Sequence, residues 1–156
     1  TPPEPEAVRA LAETLTARRP LTPEQAAALD IPALARFLAS SLAERIRTAP
    51  QVWREYRFAL LTDAGIYDVA AAGEEILLQG VADCVFETTA GLTVVDFKTD
   101  WVTDETVTAR AAEYRPQLEA YRLQLDAYAG ALSRILEKPV TERILYFFAC
   151  GEEISL

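Results

Sequence analysis

Histidine is missing from all 156 residues, and so is methionine. Without histidine the chain cannot supply a Ser-His-Asp triad, a histidine-ligated metal or a histidine general base. Cysteine occurs twice, at Cys84 and Cys150, far apart and in no CxxC arrangement. That excludes a zinc site or an Fe–S cluster built from this chain alone and fits two reduced core cysteines. No apolar run is long enough to cross a bilayer, and no secretory signal pattern is present. No membrane partner is therefore expected, and the expected compartment is the cytoplasm. Positive charge is scarce: 15 Lys and Arg stand against 24 Asp and Glu, a net charge of −9. This balance disfavours a free-standing nucleic-acid binder, whose affinity comes mostly from basic side chains on phosphates. Acidic groups gathered around a cation remain compatible with phosphate chemistry. The chain opens Thr1-Pro2-Pro3 without methionine, and is expected to be a portion of a longer polypeptide.

What is present is a core. Hydrophobic residues make up 51% and charged residues 25%, which suits one globular domain. The first third is helical. Val8, Leu11, Ala12 and Leu15 recur at helical spacing between Glu6 and Arg18. Thr22-Pro23-Glu24-Gln25 reads as an N-cap, a Pro at the first helical position and a capping-box Gln. A third helix is expected from Asp30 to Arg47, with Ile31, Leu34, Phe37, Leu38, Leu42 and Ile46 as its apolar stripe. The middle third alternates instead. Strands are expected over Val52–Leu61, Ile76–Glu87 and Leu92–Thr99, the last two joined by Thr88-Thr89-Ala90-Gly91, with Gly65 and Gly73 bracketing a loop or a short extra strand. A short helical piece around Thr103–Ala112 and a long helix from Pro116 to Leu136 follow, stopped at Lys138-Pro139. Arg143–Ala149 reads as a buried strand, and the tail to Leu156 as a candidate for another. The expected class is mixed α/β: a central mixed sheet flanked by helices, with residues 1–49 as a helical segment and 50–156 as the core.

Two aspartates and a lysine interrupt the most apolar strands, at Asp83, Asp96 and Lys98. Asp is a poor strand former, and burying its charge costs several kcal/mol unless a partner or metal compensates. Asp96 and Lys98 are two apart and share a face. An even turn centred between Thr89 and Ala90 pairs residues whose numbers sum to 179, which sets Asp83 opposite Asp96. A bulge at Gly91 would shift that register by one. Facing carboxylates repel across a ladder, and a divalent cation turns the repulsion into a binding site. A lysine beside them can position a water and offset charge developing on a phosphoryl group. The plainer alternative is a solvated hairpin face carrying an Asp–Lys salt bridge.

The string Gly80-Val81-Ala82-Asp83 … Val95-Asp96-Phe97-Lys98-Thr99-Asp100 resembles the PD-(D/E)XK nucleases, in particular the AddA-type members of their RecB-like branch. Gln117-Leu118-Glu119-Ala120-Tyr121 is similar to that branch's Gln-x-x-x-Tyr signature. Arg54-Glu55-Tyr56-Arg57-Phe58 is similar to the Arg-Glu-x-x-Phe strand that precedes the first Asp. The resemblance covers Pro50 to Phe148. It implies a restriction-endonuclease-like core and metal-dependent DNA cleavage within an ATP-dependent bacterial helicase–nuclease for double-strand-break processing. Asp83 and Asp96 would be the metal ligands, for Mg²⁺ or alternatively Mn²⁺, and Asp83, Asp96 and Lys98 the catalytic set. Gln117, Tyr121 and Glu55 would contact DNA or brace the site. Gln117 and Tyr121 share one helix face, with Pro116 expected at the helix N-terminus where N–H groups favour phosphate. Implied partners are DNA, helicase domains of the same parent chain and a second, AddB-like nuclease subunit. Related nucleases supply a histidine ligand from a Gly-Thr-x-x-His segment. That segment is not in this sequence, so the isolated chain is expected to bind metal poorly. The alternative is an inactive nuclease-fold module that docks DNA or a partner subunit.

Overall fold

The structure is a computed structural model that describes residues 3–66, 68–99 and 111–156, with side chains except at 66 and 111–117. Four helices lead: α1 (Pro5–Ala17), α2 (Pro23–Ala27), α3 (Ile31–Leu38) and α4 (Ser41–Thr48). Strands β1 (Val52–Asp63), β2 (Glu75–Thr88) and β3 (Gly91–Lys98) follow, then α5 (Ala111–Ile135), β4 (Val140–Phe147) and β5 (Glu152–Ser155). The strands form one sheet in the order β1-β2-β3-β4-β5. Only β3 and β4 run parallel, because the chain returns through α5 between them.

Local chemistry explains most boundaries. The Thr22 capping box forms in both directions. The helix expected over Asp30–Arg47 is instead two helices. Ser40 breaks it by accepting a hydrogen bond from the Ala43 N–H at 3.2 Å, which starts α4 as a fresh helix. The apolar stripe runs on across the break, so the stripe alone did not reveal it. The long helix begins at Ala111, so Pro116 lies inside it and not at its N-terminus. The expected short piece at Thr103–Ala112 lies mostly outside the described residues. The tail does form a strand, β5, antiparallel to β4.

The sheet is covered on both sides, which accounts for its apolar strands. On one face Leu42 and Ile46 of α4 pack on Cys84, Phe86, Val95, Ile144 and Tyr146. On the other, Leu125, Ala131 and Leu132 of α5 pack on Val85, Leu92, Val94, Leu145 and Phe147. A smaller cluster of Val8, Ala12, Ile31 and Ala35 joins α1 to α3. The β2–β3 ladder holds the expected register, from Thr88↔Gly91 to Cys84↔Val95. Gly91 has φ +144 and a Cβ there would stand 2.4 Å from the Pro139 carbonyl oxygen, so the turn needs glycine without a bulge.

Candidate active site

The β2–β3 ladder ends at Cys84↔Val95, one pair short of the two aspartates, while β3 stays paired with β4 as far as Lys98↔Phe147. Beyond that point β2 remains with β1 and leaves β3. The result is a fork in the sheet with Asp83 on one prong and Asp96 on the other.

Asp83 and Asp96 are therefore not a ladder pair, contrary to the simplest expectation from the register. The Asp83 carboxylate accepts the backbone N–H of Phe97 through Oδ2 at 2.9 Å. A strand N–H points along the sheet toward its neighbour, so this carboxylate lies in the seam and replaces the missing ladder bond. The charge of Asp83 is felt at Asp96, where it opposes ionisation.

Asp96 and Lys98 lie on the α5 side, paired with Leu145 and Phe147 of the core face. Their side chains are only 13% and 15% exposed, which excludes the solvated salt bridge as a description. Lys98 Nζ is 2.6 Å from Asp96 Oδ2. The partner of that buried oxygen is the Lys98 ammonium. Desolvation raises the Asp96 pKa, and the hydrogen-bonding reach and charge of Lys98 pull it back. The Lys98 ammonium also sits over the Tyr121 ring, 3.8 Å from its centroid. Such a cation–π contact stabilises by roughly 0.5–2 kcal/mol and fixes where the ammonium points. Tyr121 is half-buried and its ring packs against the cluster beneath α5. Gln117 lies one turn earlier in the same helix.

Asp83 also borders a cleft of about 930 Å³ on the α4 side, lined by Phe37, Ile46, Arg54, Glu55, Cys84 and Phe97 among others. Glu55 is exposed and lines this cleft, which neither Asp96 nor Lys98 lines. Burial pushes the Cys84 thiol up to about 11, so it is an inert core group here. Sequence reasoning missed two participants. The Phe97 amide orders Asp83 and carries no side-chain signal. Arg54, which faces Cys84 across the β1–β2 ladder in this cleft, was visible only as part of a longer motif.

Two carboxylates stand at the fork, oxygen ligands of the kind a hard divalent cation takes: Asp83 in the seam beside the α4-side cleft, and Asp96 on the α5 side, ion-paired to Lys98. Among the described residues no three His, Cys, Asp or Glu side chains gather into a metal cage. No helix among the described residues is long and apolar enough to cross a membrane.

A model of the PD-(D/E)XK nuclease superfamily matches residues 1–152. The chain belongs to that superfamily. Proteins named as the A subunit of an ATP-dependent helicase/nuclease share its sequence. The protein from Desulforamulus reducens is 34% identical over 160 residues, covering 99% of this chain and 12% of its own length. That from Acetivibrio thermocellus is 36% identical over 152 residues, covering 94% and 12%. That from Bacillus anthracis is 39% identical over 132 residues, covering 82% and 11%. The chain thus spans about an eighth of the length of these curated relatives. The mixed five-stranded sheet with helices on both faces is the superfamily fold in this chain.

Proposed function

We propose that this chain is the DNA-cutting module of an ATP-dependent helicase–nuclease, hydrolysing phosphodiester bonds as an exonuclease during double-strand-break processing. The observation that carries the reading is the fork: Asp83 locked in the seam by the Phe97 amide, and Asp96 buried in an ion pair with Lys98. Asp83 and Asp96 would hold the cation, Mg²⁺ with Mn²⁺ as the alternative. When bound, such an ion neutralises a phosphoryl oxygen and makes water more acidic.

The chain's own residues do the rest. The Phe97 N–H holds the Asp83 carboxylate in one orientation, so little reorganisation is needed when a ligand arrives. Lys98, steadied by the Tyr121 ring, orients the attacking water and offsets negative charge gathering on the phosphoryl group. Gln117, one turn before Tyr121, is assigned to the DNA backbone. The apolar walls of Leu145 and Phe147 keep the Asp96–Lys98 pair in a poorly hydrated setting, where its electrostatics are strong. With a net charge of −9, the chain relies on helicase domains of a longer parent to bring DNA to it. A bacterial cytoplasmic setting and a second, AddB-like nuclease subunit complete the proposal.

One observation favours a second reading, a nuclease-fold module that docks DNA or a partner without cutting it. Among the described residues no third His, Cys, Asp or Glu joins the two carboxylates. The two readings separate in a single assay on the full-length protein carrying this chain. The catalytic reading expects Mg²⁺- or Mn²⁺-dependent degradation of linear DNA, abolished by Asp96→Ala and by Lys98→Ala. Undiminished degradation in both variants would remove the assigned site.

A further inference from the structure

Two neighbouring strands change sides at one place. On β1, Trp53 packs into the cluster beneath α5, and the next residues to do so are Tyr56, Phe58 and Leu60. On β2, Leu78 and Ala82 belong to that cluster, and then Val85, while Cys84 and Phe86 belong to the opposite one. Side chains on a regular strand return to a face only at even steps. The odd step from Trp53 to Tyr56, matched by the odd step from Ala82 to Val85, marks a kink shared by both strands. The ladder records it too: Arg54 pairs with Cys84 and Tyr56 with Ala82, but Glu55 and Asp83, which face each other between them, make no pair. Glu55 has φ +49, in the left-handed region that an L-glutamate rarely enters.

We propose that the backbone of Glu55, and not its carboxylate, is the positioning element for Asp83. The left-handed turn at Glu55 lifts β1 and β2 together off the line of β3. The β2–β3 ladder then stops at Cys84↔Val95, and Asp83 is rotated into the opening to take the Phe97 N–H. Without the kink β2 would continue alongside β3, its own backbone would face Phe97, and Asp83 would follow Val85 onto the α5 face. The strain at Glu55 is thus tied to the opening of the fork, in keeping with backbone outliers that cluster at functional sites. The Glu55 side chain is exposed and lines the cleft, so its exchange for another residue tests the backbone without emptying a core position. The consequence for cation binding rests on the reading of Asp83 as a ligand; the consequence for the Phe97 amide does not.

The test compares Glu55→Gly, Glu55→Asn, Glu55→Gln and Glu55→Val in the full-length protein. Two quantities are read: residue-resolved hydrogen exchange of the Phe97 amide, and Mn²⁺ affinity by calorimetry without nucleotide. Gly and Asn enter positive φ readily, whereas a β-branched Val resists it. Glu55→Gly and Glu55→Asn are expected to keep Phe97 protected and Mn²⁺ affinity within about threefold. Glu55→Val is expected to speed Phe97 exchange and weaken Mn²⁺ at least about tenfold. If Glu55→Val does not fold, Glu55→Ala serves in its place, with a smaller change in the same direction. Equal Phe97 exchange in Glu55→Val, or in Glu55→Ala where that is used, and in the native protein would overturn the proposal. So would loss of Mn²⁺ affinity in Glu55→Gly, Asn and Gln alike with Phe97 still protected, since that would assign the effect to the carboxylate. If Glu55→Val frees the Phe97 amide while even the native protein binds no Mn²⁺ at the fork, the positioning role stands and the nuclease reading falls.

Discussion

Glu142 is a point where charge, burial and fold can be separated experimentally. It lies on β4, accepts hydrogen bonds from both terminal nitrogens of Arg45 on α4, and accepts one from the Thr93 hydroxyl at 3.1 Å. It therefore ties α4 to the two strands that meet at the parallel junction. Replacing it by leucine leaves the Thr93 hydroxyl, on a residue 0% exposed, without its acceptor. An unmet buried donor costs about 1–3 kcal/mol. The Arg45 pair adds less, because its side chains are 37% and 31% exposed and water screens it, so at most about 1 kcal/mol is assigned to it. Glu142→Leu is thus expected to lower stability by about 1–4 kcal/mol, read as a fall in the urea midpoint. The pH dependence fixes the electrostatic share. The Arg45 hydrogen bonds hold the Glu142 pKa below its ordinary 4.5 against the effect of burial. A depressed carboxylate pKa means stability that is fully present above the unfolded value and lost as pH falls through the folded one. The gap between native protein and Glu142→Leu should be constant above pH 4.5 and narrow below it. It should not vanish, because a protonated carboxyl still accepts from Thr93. A gap that is the same at about pH 3 as at neutral pH would refute the charge-assisted link.

Two further outcomes follow from the same packing. Tyr121→Leu removes the ring beneath the Lys98 ammonium and is expected to slow DNA cleavage by the full-length protein about 2–30-fold, the equivalent of a cation–π contact of roughly 0.5–2 kcal/mol. An unchanged rate would show that the ring does not help to place Lys98. Leu132, fully buried beneath the sheet, should cost about 2–5 kcal/mol as Leu132→Ala in denaturant unfolding, and a cost under about 1 kcal/mol would mean that α5 does not pack as described.

The parts of this fold that sequence reveals are those set by local pattern. An even turn at Thr88–Gly91 was enough to place Cys84 against Val95, because hairpin register follows from turn length. The Thr22 capping box and the apolar run of β4 were legible for the same reason. The break at Ser40 was hidden because the apolar residues keep their spacing through it, and a serine inside such a stripe reads equally as an exposed helix position. The orientation of Asp83 was out of reach for a different reason. It depends on a positive φ at Glu55, a conformation that glutamate does not favour and that only the surrounding sheet imposes. The α5 start was misplaced because Pro116 reads as a first helical residue, whereas the helix already runs from Ala111.

The proposed function requires that Asp83 and Asp96 hold a divalent cation. A crystal of the full-length protein soaked in Mn²⁺ and measured for anomalous scattering tests this directly. The predicted result is a peak at Asp83 and Asp96, absent in Asp96→Asn. A fork without a peak, or manganese bound only elsewhere on the chain, would contradict it.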